Sequence, residues 1–180
     1  MKKFILSAVV GILLSSSLAQ AASGGNINFQ GQLSNSTCDV VVDGQPGNST
    51  VTLPVVSISE LGSAGQTAGI IGFTMVLTNC IGSLKTASAF FGAGAAVDVP
   101  TGRLKNTTGT AQNVSLQLRD GTSDSKAVIK AGNPDQINSN LFVNIGSGSA
   151  DLPYLVEYYA DGATSPGTVV SNVVYSIQYK

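Results

Sequence analysis

The sequence predicts an all-β domain, a two-sheet sandwich of immunoglobulin type. Three observations carry that expectation. Apolar residues recur with period two, most clearly over 70–78, where Ile71, Phe73, Met75 and Leu77 oppose Ile70, Gly72, Thr74, Val76 and Thr78. The runs are divided by turn dipeptides, Asp43-Gly44, Asp120-Gly121 and Asp161-Gly162, with Pro46, Pro134 and Pro166 where a strand could not continue. No part of the chain beyond its leader has a convincing helical period. The chain has no tryptophan, so the Cys-Trp-Cys signature of antibody domains is missing.

In chain order, residues 1–21 read as an export signal: Lys2 and Lys3, an apolar run over 4–14, and the small-residue exit Ala19, Gln20, Ala21. The run is too short to span a bilayer. Residues 22–26 contain two glycines and read as a flexible lead-in. Over 27–33, Ile27, Phe29, Gly31 and Leu33 point one way and Asn28, Gln30 and Gln32 the other. Strands are then expected at 38–42, 49–53, 70–78, 89–99, 102–106, 113–119, 141–145, 152–159 and 169–179. One short helical turn fits 57–68, and 121–139 reads as a longer surface excursion. In the last strand Gly167, Val169, Ser171, Val173, Tyr175, Ile177 and Tyr179 share a face. A strand placed before the first cysteine, and another ending one residue from the carboxyl terminus, are poorly placed for burial within their own domain. Both suit pairing with another polypeptide.

Composition narrows the function. Loss of Lys2 and Lys3 with the leader leaves seven basic residues against ten acidic ones, a net charge of −3. Nucleic acid and anionic membranes are poor partners for such a chain. Only 11% of residues are charged, which suits a surface packed against copies of itself and equally any stable secreted β domain. The chain has no histidine, which removes the commonest general base and metal ligand, and its carboxylates are scattered singly on turns. No catalytic residue, metal site or cofactor is expected. Asp120 and Asp124 flank one turn but fall short of a calcium ligand set. Gly146-Ser147-Gly148 leads into no helix and forms no phosphate cradle. Cys38 and Cys80 are the only cysteines, and export to an oxidising compartment favours a disulfide over a metal pair or a free nucleophile. Closing a loop of this size contributes about 4 kcal/mol in the chain-entropy model.

These residues together resemble a known family, the structural pilins of bacterial chaperone–usher fimbriae, and within it the type 1 major-subunit group. The resemblance rests on Ile27-x-Phe29-x-Gly31-x-Leu33 followed by Cys38, on Gly72-Phe73 leading to Asn79-Cys80, and on Gly167 and Tyr179 near the carboxyl end. It implies an incomplete immunoglobulin-like sandwich, the pilin fold, completed by a donated strand. Residues 1–21 would be the signal peptide, 22–34 the donor extension and 35–180 the pilin domain. Ile27, Phe29 and Leu33 would insert into a neighbour's groove, with Gly31 where the strand lies close over its floor. Val169, Val173, Tyr175, Ile177 and Tyr179, after Gly167, would form one groove wall and the strand a chaperone recognises. Three inserted side chains would contribute about 5–9 kcal/mol before backbone bonds. The implied partners are further copies and related pilins, a periplasmic chaperone and an outer-membrane usher, and the implied destination is a surface fimbria. Ser171 departs from the apolar pattern of that wall. A monomeric secreted β-sandwich with a binding role is the alternative from a different class.

Overall fold

The computed structural model describes residues 26–180. The export signal expected over 1–21, and the first four residues of the expected 22–34 extension, lie outside the described residues. Residues 33–180 form one compact unit, and 26–32 belong to another.

The compact unit is a β-sandwich. Its strands are β1 (Thr37–Val42), β2 (Gln45–Pro46), β3 (Thr67–Ile81), β4 (Thr86–Phe91), β5 (Val97–Asp98), β6 (Arg103–Lys105), β7 (Val114–Asp120), β8 (Val128–Ile129), β9 (Val143–Asn144), β10 (Ala150–Ala160) and β11 (Tyr175–Tyr179). The larger sheet runs β2-β1-β3-β10-β7-β6-β5 with β8 beside β7, and the smaller runs β11-β4-β9. Asp43 and Gly44, both with positive φ (46° and 75°), make the tight turn from β1 into β2, a geometry that asparagine, aspartate and glycine tolerate best.

The long central strands follow directly from their alternation. β3 pairs with β10 in the register Met75 to Leu152 and Phe73 to Tyr154, which places the apolar residues of both strands on one face. Met75, Leu77 and Leu152 are at most 1% exposed. Leu116 and Leu118 of β7 join them, as do Ala87, Ala89 and Phe91 of the smaller sheet. The Phe91 and Tyr154 rings meet edge to face at 5.1 Å and tie the two sheets together. On the outer face of β7 and β10, the buried Glu157 carboxylate accepts from Gln117 Nε2 at 2.7 Å and from Arg119 Nε at 2.6 Å.

Several expected elements differ from those observed. The strand expected at 89–99 ends at Phe91, because a turn closed by Val97 N–H on Gly94 C=O (3.0 Å) carries the chain from the smaller sheet into the larger. Residues 49–53 form no strand and pair with none among the described residues. At their start the Gln45 side chain bonds both backbone groups of Thr50 (3.2 and 3.1 Å), taking positions a neighbouring strand would use. Of the strand expected over 169–179, only Tyr175–Tyr179 pairs. The turn expected within 57–68 is a 3-10 turn over Ile58–Leu61, capped reciprocally by Ser57 and Glu60. The 121–139 excursion contains β8 and a single helical turn, α1 (Gln136–Ser139).

Candidate functional site: an apolar groove between two unpaired segments

Two stretches of the compact unit pack beside the core without joining a sheet among the described residues, 51–56 and 169–174. Within 51–56 no backbone group bonds any other described residue, and the same holds for 171–173. Such groups are ordinarily satisfied by a ladder neighbour, so 51–56 and 171–173 present main-chain groups that have no partner among the described residues. Two adjoining clefts separate residues drawn from these regions. One, of about 350 Å³, has Val51 and Leu53 on one rim and Ser171, Val173 and Tyr175 on the other, over core residues that include Phe73, Met75 and Leu116. The other, of about 670 Å³, lies between Val55, Val56 and Ile58 and residues 164–170, with Tyr158 in its lining.

Local chemistry explains how the second rim keeps its place without a ladder. Asn106 bonds four backbone groups with one side chain. Its Nδ2 donates to Ala111 O (2.8 Å) and Thr168 O (3.1 Å), while its Oδ1 accepts from Gly109 N (3.0 Å) and Val170 N (2.9 Å). Thr107 N–H and Ala111 N–H donate to Val170 O and Thr168 O, and the Thr110 and Thr168 hydroxyls each accept from the other residue's N–H. Gly167 lies so close to this loop that a Cβ there would collide with the backbone at Thr110 and Ala111, and its φ of 154° also disfavours a side chain. On the other side Gly92 N–H reaches Val174 O at 2.8 Å, where the segment enters β11.

Along this rim side-chain direction alternates. Val169, Val173, Tyr175, Ile177 and Tyr179 are half-buried against the core, whereas Val170 and Val174 face out at 49% and 71% exposure. Ser171 shares the inward direction, lines the first cleft, and has a buried hydroxyl without a partner among the described residues. β11 pairs only with β4, so its other edge has no strand beside it among the described residues.

The amino-terminal residues are placed differently. Residues 26–36 belong to no strand, and Ile27, Phe29 and Leu33 are exposed at 77%, 90% and 101%. Apart from Gly31 and its chain neighbours, no atom among the described residues lies within 4 Å of the position a Cβ on Gly31 would take. Where the chain enters the compact unit it is held twice. Ser36 Oγ accepts from Leu84 N–H at 3.1 Å, and Cys38 is disulfide-bonded to Cys80, 42 residues on, joining the start of β1 to the end of β3. Among the described residues no group of three or more His, Cys, Asp or Glu side chains is placed to hold a metal ion, and no helix is long and apolar enough to cross a membrane.

Of the two rims of the groove, sequence reasoning named residues of the carboxyl-terminal one and assigned no role to its counterpart. Residues 49–53 were expected as an ordinary strand, while Val55, Val56 and Ile58 were assigned no role. The apolar alternation of Val51 and Leu53 was the available signal, but alternation reports a buried face and not the presence of a partner. The anchor at Asn106 carried no signal, since the residue was read as the end of a strand over 102–106 and its partners at 168 and 170 lie far along the chain.

The type-1 fimbrial protein, A (FimA) family model matches residues 53–180. The chain is 39% identical to the major fimbrial subunit SMF-1 of Stenotrophomonas maltophilia over 93% of its own length and 99% of the relative's. It is 35% identical to the F17 fimbrial protein of Escherichia coli, covering 96% and 97%. Among solved structures it is similar to a type I fimbria protein of Burkholderia pseudomallei, with TM-score 0.51 and 25% identity over 81% of this chain and 97% of that one. It shares its fold with the P pilus rod subunit PapA, with TM-score 0.57 and 14% identity over 79% and 99%. A matched region that contains nearly the whole groove, and relatives that align from end to end, lead to one assignment: the chain belongs to the type-1 fimbrial protein family and is a structural subunit of a fimbria.

Proposed function

We propose that this subunit polymerises head to tail by donor-strand exchange, each copy lending residues 22–34 to the groove of the next, whose pilin domain is 35–180. The observation that carries the reading is the groove itself: an apolar trough whose rims include two main-chain stretches, 51–56 and 171–173, without a backbone hydrogen-bond partner among the described residues. A strand laid between 51–56 and 169–175 would satisfy both rims while its alternate side chains covered the core. Strand addition is an established mode of peptide recognition, pilins among its users. In this chain Ile27, Phe29 and Leu33 are the inserted side chains, and Gly31 lets the strand lie close over the floor. Val169, Val173, Tyr175, Ile177 and Tyr179 form the receiving wall, anchored at Gly167.

The empty groove is an aggregation hazard, since it combines apolar surface with unpaired edges. This supports an escorted route: export, capture of the 169–179 wall by a periplasmic chaperone, hand-over at an outer-membrane usher, and growth of a fibre at the cell surface that serves adhesion. The test is deletion of 22–33. Electron microscopy and boiling-resistant ladders on gels are expected to lose the polymer while a chaperone-bound subunit survives. Fibres formed without those residues would refute the reading.

A further inference from the structure

The smaller sheet has two edges, and only one of them borders the groove. The other is the far side of β4, whose residues Ala87, Ala89 and Phe91 are 0%, 0% and 2% exposed. Such an apolar strand would be a template for pairing if its backbone were open. β9 covers it only at Thr86 and Ala87. From Ala89 to Phe91 no strand lies on that side among the described residues, yet the Ala89 and Phe91 backbone groups there are satisfied. Ala89 N–H donates to the Tyr154 hydroxyl at 2.9 Å, and Ala89 C=O accepts from Asn140 Nδ2 at 2.9 Å. Phe91 N–H donates to Gln136 Oε1 at 3.0 Å, and Phe91 C=O accepts from Gln136 Nε2 at 2.9 Å. The Gln136 amide thus gives Phe91 the donor and acceptor pair that a peptide group of a neighbouring strand would supply.

The three side chains are held in place. Gln136, Asn140 and Tyr154 are 2%, 9% and 3% exposed. Gln136 also donates to Lys130 O at 2.9 Å, Gly132 N–H adds a second bond to Phe91 O at 2.8 Å, and Gln178 Nε2 reaches Gln136 O at 3.3 Å. The excursion after β7 therefore presents the Gln136 and Asn140 amides to β4.

We propose that Gln136, Asn140 and Tyr154 form a plug that closes the second edge of the smaller sheet, so that the subunit accepts an incoming strand on one edge only and the fibre cannot branch. The consequence for the fibre rests on donor-strand exchange at the groove; the closed edge does not. Two measurements separate them. In amide exchange on the mature full chain, Ala89 and Phe91 are expected to exchange as slowly as their ladder neighbours Ser88 and Phe90. In Gln136→Met, which keeps the length and removes the amide, Phe91 is expected to lose about 5–30-fold of its protection, the factor that corresponds to one hydrogen bond. Exchange of Ala89 and Phe91 in the unaltered chain as fast as at Thr52 and Leu53 would overturn the plug.

In the second measurement, Gln136→Met/Asn140→Leu is expected to give branched or laterally fused fibres by electron microscopy, with faster thioflavin-positive aggregation than the unaltered chain. A folded double variant that stays linear and equally soluble would also overturn the proposal. Should the double variant not fold, the exchange comparison in the unaltered chain decides. If residues 22–33 prove dispensable for the polymer, donor-strand exchange fails while the exchange result at Ala89 and Phe91 still stands or falls alone.

Discussion

At the scale of single residues, the groove depends on a few polar and small side chains in place of a ladder. Gly167 is one tight point, because its backbone abuts Thr110 and Ala111. Gly167→Ala is expected to push the rim off its anchor at a cost of about 1–3 kcal/mol, the range for overpacking. Urea unfolding of the mature subunit checks this, with weaker uptake of a donor strand alongside. Tyr154 gives a pH signature. Burial raises its phenol above the ordinary value, despite opposing hydrogen bonds to Ser88 and Ala89. The unfolded chain then releases the proton first, so stability is intact below about pH 10 and falls as pH rises from there through the folded value. Tyr154→Phe is expected to flatten that alkaline limb while costing about 1–3 kcal/mol at neutral pH, since Ala89 N–H is left buried and unpaired. Unfolding followed at pH 7 and pH 11 separates the two effects.

At the scale of elements, the Cys38–Cys80 bond joins β1 to β3 where residues 26–36 enter the sandwich. Cys38→Ser/Cys80→Ser is expected to lose about 4 kcal/mol, with the midpoint of denaturation falling accordingly, because the open loop regains its freedom in the unfolded chain. The elements also differ in how plainly they could be read. β3 and β10 span fifteen and eleven residues, long enough for alternation to identify the strand and its inward face. Residues 49–53 alternate as well, and nothing in Ser-Thr-Val-Thr-Leu says that the neighbour is absent. The break after Phe91 was hidden because Gly92, Ala93, Gly94, Ala95 and Ala96 are small and apolar and extend the run without interrupting its pattern. Gln136 and Asn140 lie within and just beyond the stretch read as a polar surface excursion, yet both are buried against β4.

At the scale of the whole molecule, the groove makes the single subunit an incomplete sandwich. Phe29 is 90% exposed in the lone chain, so Phe29→Ala is expected to leave the isolated subunit's thermal midpoint unchanged. In the fibre the same substitution is expected to remove about 3 kcal/mol per junction and to lower the temperature at which gel ladders dissociate. An equal loss in both states would mean that the side chain packs within its own domain and not in a neighbour's groove.

By itself the sequence determined what is local or leaves no choice. Alternation defined the inward faces of the long strands, turn dipeptides divided them, the chain's two cysteines allowed one internal pairing, and motif spacing pointed to the family. The tertiary structure decided which segments have neighbours: 51–56 and 171–173 have none for their backbone among the described residues, and the outer edge of β4 has three side chains standing in for a strand. The physical reason is that alternation is a property of one strand and its burial, whereas pairing belongs to two segments far apart in the chain. Their register and spacing exist only once the sheets have packed.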